Sequence, residues 1–179
     1  MSDWGMGVLW FGILLLATGG ERIFELVVST RNAKWAFERG GVEYGREHFP
    51  WMVALHTGLL VASFVEVVVA ERPFLPWLGW PMLAIALLCQ VLRYVIIATL
   101  GRQWNTRVIV VPDLPLVHRG IYRFVKHPNY VVVVLEGIAL PLVHTAWITA
   151  LAFTVLNAVL LLRFRIPVEE RALRTAAAP

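Results

Sequence analysis

Long apolar runs separated by short polar segments divide this chain into stretches that match the length of a membrane crossing. Residues 5–28 are apolar until Glu21, and residues 51–70 and 74–100 follow with few charged positions. The hydrocarbon core of a bilayer is about 30 Å thick, and a helix needs roughly 20 apolar residues to cross it. The pattern therefore predicts three membrane-spanning helices within residues 1–100.

The last apolar run, residues 130–164, is too long for one crossing, because a helix of that length would measure about 50 Å. Pro141 lies near its middle, and two polar residues follow soon after. We expect two helices here, residues 130–142 and 146–164, joined as a hairpin. The predicted fold is therefore all-α and polytopic, with five transmembrane helices of which the last two form the hairpin.

Composition agrees with a membrane protein and excludes several other classes. Hydrophobic residues make up 59% of the 179 residues and charged residues 16%, whereas soluble domains average about 45–50% and about 25%. This balance excludes a soluble enzyme, a disordered tail and a nucleic-acid-binding domain. Cys89 is the single cysteine, so the chain forms no internal disulfide. Without repeats or linkers, residues 1–179 are expected to form one domain.

The basic residues predict which way the helices are oriented. Residues 29–49, residues 101–129 and the tail from Arg163 onward contain four, five and four of them, 13 of the 16 in the chain. With five crossings these segments lie on one side of the membrane, and the opposite side holds only Arg72. Positive loops stay in the cytoplasm, so the N-terminus is expected outside and the three basic segments beside anionic lipid headgroups in the cytosol. The net charge of +4 therefore does not indicate a nucleic-acid partner.

A cleaved signal peptide is the alternative for the first 20 residues, because Ala17-Thr18-Gly19 resembles a cleavage site. Signal peptides begin with a basic region. Here Asp3 is the only charge before Glu21, so we favour a membrane helix.

Ionisable residues inside a bilayer are costly, so each one in a predicted span is a candidate functional group. We consider Glu21, Arg22, Glu25, Glu66, Arg93 and Glu136. The first three lie near the end of their helix, where they can pair with each other or reach the interface. Arg93 can neutralise Glu66 or Glu136 between helices. We favour structural pairing over catalysis for this group.

Residues 101–129 carry the most candidate chemistry. They place aromatic residues, cations and histidines directly before a membrane helix, and the segment leads into Lys126-His127-Pro128-Asn129-Tyr130. Zinc binding is not supported, because the segment has no cysteine and His118 and His127 lack a recognised ligand spacing. Phosphate-loop and dinucleotide glycine patterns are absent. Anchoring at the membrane interface would explain the aromatic residues but not the Lys-His-Pro-Asn string.

The tail contains a second polar cluster. Pro167 is expected to push Ile166 out of helical geometry and to begin a new helix. Glu169 and Glu170 then fall in the first turn of that helix, where the helix dipole favours acidic residues. Arg165 precedes the break and can turn toward them. Considered alone, this cluster is typical of ordinary charge at a membrane interface.

Together the two clusters match a known pattern. Gly120 to Tyr130 has the form Gly-x-Tyr-x-x-x-(Arg/Lys)-His-Pro-x-Tyr, and Arg165 to Leu173 has the form Arg-Ile-x-x-Glu-Glu-x-x-Leu. In this order, with an apolar hairpin between them, the strings resemble the isoprenylcysteine carboxyl methyltransferase family. The first half is similar to a bacterial branch of that family associated with type III polyketide synthases, in Glu21-Arg22, Phe24-Glu25-Leu26, Arg31-Asn32, Gly41-x-Glu43-x-Gly45, His48-x-Pro50, His56 and Gly101-Arg102-Gln103-Trp104.

The resemblance implies an S-adenosylmethionine-dependent O-methyltransferase in the bacterial inner membrane, with a cytosolic cofactor pocket and a lipophilic acceptor arriving from the bilayer. Within residue range 101–179 it implies a cofactor loop, the hairpin and a C-terminal surface helix. Glu169 would hold the cofactor's ammonium group and Arg165 would position the acceptor oxygen, which makes these two the catalytic candidates. The other residues that would shape the cofactor pocket are Leu116, Val117, Gly120, Tyr122, His127, Pro128 and Tyr130.

Two departures from the family bear on the acceptor. Lys126 stands where many relatives have arginine, and the aromatic-rich extension of the eukaryotic enzymes is missing after Leu173. We therefore expect the hydroxyl of an alkylpyrone or alkylresorcinol rather than a prenylcysteine carboxylate. The expected partners are this lipophilic small molecule and membrane lipids, with no nucleic acid.

Two other functions stay open at this point. Sterol-type reductases share a similar cytosolic pocket but bind NADPH. A small non-enzymatic transporter would use Glu66, Arg93 and Glu136 as its translocation residues.

Overall fold

The computed structural model describes residues 3–112 and 114–176, over which the chain is mostly helical, as predicted. Proline occupies the first or second position of three helices, α2, α3 and α4. A backbone N–H at these positions has no acceptor within the helix, so proline removes no hydrogen bond there. The helices are α1 (Asp3–Phe37), α2 (Phe49–Val69), α3 (Pro76–Leu100), α4 (Pro128–Leu142), α5 (Trp147–Val159) and α6 (Ile166–Ala176), and the strands are β1 (Val42–Tyr44) and β2 (Val108–Val110).

Within residues 3–112 and 114–176, three helical stretches are long and apolar enough to cross a membrane, which makes the chain an integral membrane protein. They are Arg46–Val69, Pro76–Gln103 and Trp147–Thr175. Helix α4 is apolar but has only 15 residues. Helix α1 carries three charged residues, Glu21, Arg22 and Glu25, in its middle. The total of five crossings stays a prediction.

Helix α1 continues past the end predicted at residue 28 and reaches Phe37. Residues 29–37 are mostly polar, but they make buried contacts that keep them helical. The end of the apolar run therefore did not mark the end of the helix. Ser29 bonds to the side chains of Asn105 and Thr106 at 2.7 Å each, and Asn32 donates to the carbonyl of Trp104 at 2.7 Å. These bonds attach the end of α1 to the chain that follows α3.

The predicted hairpin of α4 and α5 is confirmed. The chain reverses after Pro141, where the N–H of Ala146 bonds to the Pro141 carbonyl at 3.0 Å. Thr145 adopts a positive φ of 55° and donates its hydroxyl to the carbonyl of Pro73 at 2.7 Å. A Cβ at Gly137 would overlap the ring of Phe153, so this glycine allows α4 and α5 to pack closely.

The predicted helix break at Pro167 is wrong. Ile166 has helical angles of −62° and −47°, and a π-helical turn, Leu160–Arg165, joins α5 to α6 without interruption. Pro167 lacks an N–H and its ring crowds the carbonyl four residues earlier, that of Arg163. The wider π turn relieves this crowding, so the helix continues through the proline.

A small antiparallel sheet was not expected from the sequence. Strand β1 pairs with β2, with Glu43 opposite Ile109 at its centre. Helix α6 packs against both strands. At Gly45 a Cβ would lie 2.9 Å from Val168 of α6, and its φ of 62° also favours glycine. The sheet thereby connects the segment before α2 to the tail helix.

Candidate active site

Two sequence motifs separated by the α4–α5 hairpin meet in one cluster. Tyr130, in the first turn of α4, donates its hydroxyl hydrogen to Glu169 of α6. Arg165, at the end of the π turn, donates from Nε to the Tyr130 oxygen at 3.2 Å and from Nη2 to the Thr106 carbonyl at 2.6 Å. Arg165 is only 6% exposed, so its guanidinium is held in one place.

His127 completes the cluster at the entrance to α4. Its ring stacks on Tyr130 with centroids 5.4 Å apart, and its Nδ1 lies 3.4 Å from the Glu169 carboxylate. This interaction with Glu169 is the main reason that the pKa of His127 is raised, and Glu170, whose Oε1 is 3.6 Å from Nε2, adds to it. Burial and the nearby charge of Lys126 act in the opposite direction.

A cavity of about 1400 Å³ opens beside this cluster. All but one of the predicted site residues line it: Leu116, Val117, Tyr122, His127, Pro128, Tyr130, Arg165 and Glu169. Burial, with the charge of Glu169 as a smaller cause, raises the pKa of Tyr122, so its hydroxyl stays protonated at neutral pH. The cavity thus joins hydrogen-bond donors, a carboxylate and apolar walls.

Gly120 is the exception, since it does not line the cavity. Its φ is 59°, and a Cβ there would lie 3.2 Å from the side chain of Thr99 at the end of α3. It allows the 3₁₀ turn Gly120–Arg123 to pack against α3 and thereby places Tyr122.

Thr106 is a site residue that sequence reasoning missed. It positions Arg165 through its backbone carbonyl, and its own N–H bonds to the Ser29 hydroxyl at 3.0 Å. Asn105 assists by donating to the Ser29 carbonyl at 3.2 Å. A carbonyl group is common to all residue types, so no sequence pattern marks this contact.

The cavity continues as an apolar arm between α1 and α2. Its walls there include Ile13 and Leu16 of α1 with Leu60 and Phe64 of α2. Gly12 leaves room on α1, since a Cβ at this position would come within 3.2 Å of the Phe64 ring. This arm suits a hydrocarbon chain rather than a polar ligand.

The charged candidates of the predicted spans, Glu21, Arg22, Glu25, Glu66, Arg93 and Glu136, form ion pairs, as we favoured. Arg93 forms ion pairs with Glu136 and, at 3.2 Å, with Glu25. Arg22 joins the same two carboxylates at 2.8 Å each and lies 3.7 Å from Glu21, so two cations face three carboxylates. Glu66 is not part of this cluster. It pairs with Arg72 at 2.9 Å, and it accepts a hydrogen bond from the N–H of Thr149 at 2.7 Å, at the start of α5.

The translocation residues of the transporter alternative therefore belong to two separate groups. Over the described ranges no three His, Cys, Asp or Glu side chains are placed to hold a metal ion.

Comparisons with known proteins agree with this arrangement. Residues 82–175 match the model of the isoprenylcysteine carboxyl methyltransferase (ICMT) family, a range that includes both motifs. The uncharacterized protein YpbQ of Bacillus subtilis is 36% identical over 168 residues, which cover 93% of this chain and 97% of that protein. An uncharacterized protein of Haemophilus influenzae is 25% identical over 155 residues, 85% of this chain and 88% of that protein.

The fold matches a solved membrane enzyme as well. The structure of the eukaryotic intramembrane Ras methyltransferase ICMT superposes with a TM-score of 0.53 and 26% identity over 70% of this chain. The chain spans about half of that enzyme, since the match covers 46% of its length. Fold and motifs together define a membrane-embedded methyltransferase. The chain belongs to the isoprenylcysteine carboxyl methyltransferase family.

Proposed function

We propose that this protein transfers the methyl group of S-adenosylmethionine to an oxygen atom of a lipid. The observation that carries the proposal is the meeting of Tyr130, Arg165 and Glu169 at the polar end of a cavity whose other arm is apolar. A water-soluble methyl donor and a hydrophobic acceptor need this combination in one site. The family's methyltransferase activity supports the same conclusion.

The residues present fit S-adenosylmethionine. Glu169 offers a carboxylate for the ammonium group, and the buried Nε2 of His127 has no hydrogen-bond partner among the described residues. Leu116, Val117 and Tyr122 supply apolar and aromatic walls for an adenine ring. When bound, the cofactor supplies an electrophilic methyl group on a positively charged sulfur. Glu169, His127 and Tyr130 bind and orient it in this proposal.

Arg165 positions the acceptor oxygen. Two of its nitrogens are bonded to Tyr130 and Thr106, while Nη1 makes no hydrogen bond within the described part of the chain. That nitrogen can donate to an oxygen in the cavity without losing the two fixed contacts. The acceptor reacts as its oxyanion after its hydroxyl proton has passed to solvent, and the C–S bond of the methyl donor breaks as the O–C bond forms, so that the donor leaves as a neutral thioether. A hydrogen bond to the attacking oxygen lowers its nucleophilicity, so the benefit of Arg165 is geometric: it aligns the oxygen for in-line displacement.

The acceptor is a lipid with a long hydrocarbon tail, which the apolar arm between α1 and α2 receives. We favour the hydroxyl of an alkylpyrone or alkylresorcinol, the products expected for a bacterial branch associated with type III polyketide synthases. The two relatives in bacteria support a bacterial setting. In this proposal residues 1–179 act as one domain of the inner membrane, with the cofactor end of the cavity facing the cytosol.

Two experiments test this function. Purified protein in detergent is mixed with radiolabelled S-adenosylmethionine or with NADPH, and we expect saturable binding of the first alone. Membrane lipids from cells with and without the protein are then compared by mass spectrometry. We expect a lipid that is heavier by one methylene unit only when the protein is present. Binding of NADPH alone would favour the reductase alternative and refute the proposal.

A further inference from the structure

A second polar layer lies deeper in the cavity than the cluster around Tyr130. The residues of this layer that line the cavity are Arg22 and Glu25 of α1, His56 of α2 and Arg93 of α3. Glu136, which pairs with both arginines, follows Tyr130 on α4 by six residues. At 1.5 Å per residue, the deeper layer lies about 9 Å further along that helix.

Most groups of this layer are already satisfied. Arg22 and Arg93 each form ion pairs with Glu25 and Glu136, and Gln90 donates to Glu136 at 3.0 Å. A bound lipid that competed for one of these charges would leave its partner buried and unpaired, which is unfavourable. Arg93 Nε makes no hydrogen bond but faces Glu25 at 3.2 Å, within an ion pair. Among the described residues, His56 is the lining residue of the layer that belongs to no ion pair, so a ligand can bond to it without leaving a charge unpaired.

The protonation pattern of His56 follows from its contact with Met52. Its Nδ1 lies 2.8 Å from the Met52 carbonyl, and a carbonyl can only accept, so Nδ1 carries the hydrogen. In the neutral ring Nε2 then has a lone pair. Across the described residues no hydrogen bond is made to Nε2. Because His56 lines the cavity, this lone pair is available to a bound molecule.

Packing fixes the depth and the orientation of the His56 ring. Phe153 of α5 meets it edge to face with centroids 5.5 Å apart and lies against Gly137 of α4. Phe153 also packs with Val133, and Val133 and Gly137 are one and two turns beyond Tyr130. His56 is therefore about one to two helical turns, roughly 5–10 Å, deeper than Tyr130.

We propose that His56 Nε2 accepts a hydrogen bond from a second hydroxyl on the polar head of the lipid, and so favours an alkylresorcinol, whose ring bears two hydroxyls, over an alkylpyrone, whose ring bears one. The inference rests on the proposed function, in which Arg165 holds the reacting oxygen. The distance between two meta hydroxyl oxygens on one ring, plus a hydrogen bond of about 2.8 Å, is similar to the depth of roughly 5–10 Å that separates His56 from Tyr130. The tail continues from the ring into the apolar arm.

A matched pair of lipids tests this selection. We use 5-pentadecylresorcinol and 3-pentadecylphenol, which share a tail and differ by one hydroxyl. Their affinities are measured by calorimetry on the full-length protein in detergent, without any methyl donor. The wild type is expected to bind the resorcinol at least tenfold more tightly, because a site that pairs with a hydroxyl discriminates against the analogue that lacks it.

Two variants separate hydrogen bonding from packing. His56→Asn keeps a donor for the Met52 carbonyl but does not reach the position of Nε2, and His56→Phe keeps the ring against Phe153. Both are expected to bind the two lipids equally, with unchanged affinity for the phenol. Thr57→Val, at a neighbouring position that also lines the cavity, is the control and should keep the preference for the resorcinol.

Several results would overturn the proposal. These are equal affinity of the wild type for both lipids, a preference that survives in both His56 variants, or an equal loss of affinity for both lipids. In a separate turnover assay with S-adenosylmethionine, an equal loss of turnover on both lipids, with the binding preference intact, would make His56 a general base instead. Since the binding assay contains no methyl donor, a preference without methyl transfer would refute the proposed function and leave the role of His56 standing.

Discussion

Tyr130 and Glu169 are 39 residues apart in the chain, yet the phenol hydroxyl of one donates a hydrogen bond to the carboxylate of the other. The hairpin of α4 and α5 makes this contact possible, because it returns the chain to the side of the membrane where α4 begins. Each residue belongs to a different motif, so the bond joins the two motifs into one site. The proposed cofactor position depends on this contact.

Replacement of Glu169 by glutamine should raise the Michaelis constant for S-adenosylmethionine by about ten- to a hundredfold. The physical reason is the loss of one charged hydrogen bond, which contributes about 1.5–3 kcal/mol. Steady-state kinetics with varied cofactor concentration measure the change. Glu38→Gln is the control, because Glu38 is exposed just after α1 and does not line the cavity, so the constant should change little. Similar effects in both variants would contradict the assignment.

Replacement of Arg165 by leucine should lower turnover with the lipid while cofactor binding stays nearly intact. The guanidinium aligns the acceptor oxygen and does not hold the cofactor in the proposed site, so its loss affects kcat rather than cofactor affinity. The control is Arg171→Leu, since Arg171 is exposed on α6. If folded Arg165→Leu protein turned over lipid at the wild-type rate, Arg165 would be only a structural residue.

Cofactor binding should weaken as the pH falls through the raised pKa of His127. In the free protein Glu169 favours the protonated ring, which raises this pKa above 6.5. A bound ammonium group at Glu169 repels the positively charged His127 ring, so cofactor binding releases the proton from His127. The dissociation constant should rise up to tenfold per pH unit below the raised pKa, and calorimetry in buffers of different ionisation enthalpy should detect proton release.

His127→Asn should abolish this pH dependence of cofactor binding. A pH profile that is unchanged in the variant would contradict the prediction.

The pair of His127 and Glu169 also affects the stability of the protein, with a defined sign. Because the folded-state pKa is raised, the contribution of His127 to the free energy of unfolding is fully present below the ordinary pKa of 6.5. It is lost as the pH rises through the raised value.

The proposed orientation predicts that the ends of α1 and α2 are on opposite sides of the membrane. Cysteines introduced at Glu38 and at Glu71 should therefore react with an impermeant thiol reagent from opposite faces of sealed vesicles. The native Cys89 is 1% exposed and should contribute little background. Labelling of both positions from the same face would refute the orientation derived from the basic residues.

The sequence was sufficient to predict the helices of the hairpin and to single out residues that the structure brings together at one cavity, because both depend on local signals. Apolar length and Pro141 mark the hairpin, and spaced motif residues mark Tyr130, Arg165 and Glu169. Contacts between distant segments were missed. The last turns of α1 are stabilised by Ser29 bonding to the segment after α3, and the sheet pairs two three-residue strands too short to show a periodic pattern.

The continuous helix through Pro167 was missed for a different reason. A proline is normally a local signal for a helix start, but the π turn before it changes which carbonyl it meets. Gly120 was assigned to the cofactor pocket because it belongs to the motif, whereas its positive φ places it in the turn that supports Tyr122. A motif gives the spacing of residue types, and it does not distinguish residues that contact a ligand from residues that support the fold.

The central claim is tested most directly by methyl transfer in a purified system. The protein in detergent is incubated with S-adenosylmethionine labelled in its methyl group and with 5-pentadecylresorcinol or its alkylpyrone counterpart. The lipid is then extracted, its radioactivity is counted, and its mass is measured by mass spectrometry. We predict label in an O-methylated lipid, with a reduced rate for Glu169→Gln and Arg165→Leu. Lipid that stays unlabelled, although the protein is folded and a prenylated N-acetylcysteine also fails to accept the label, would contradict the account.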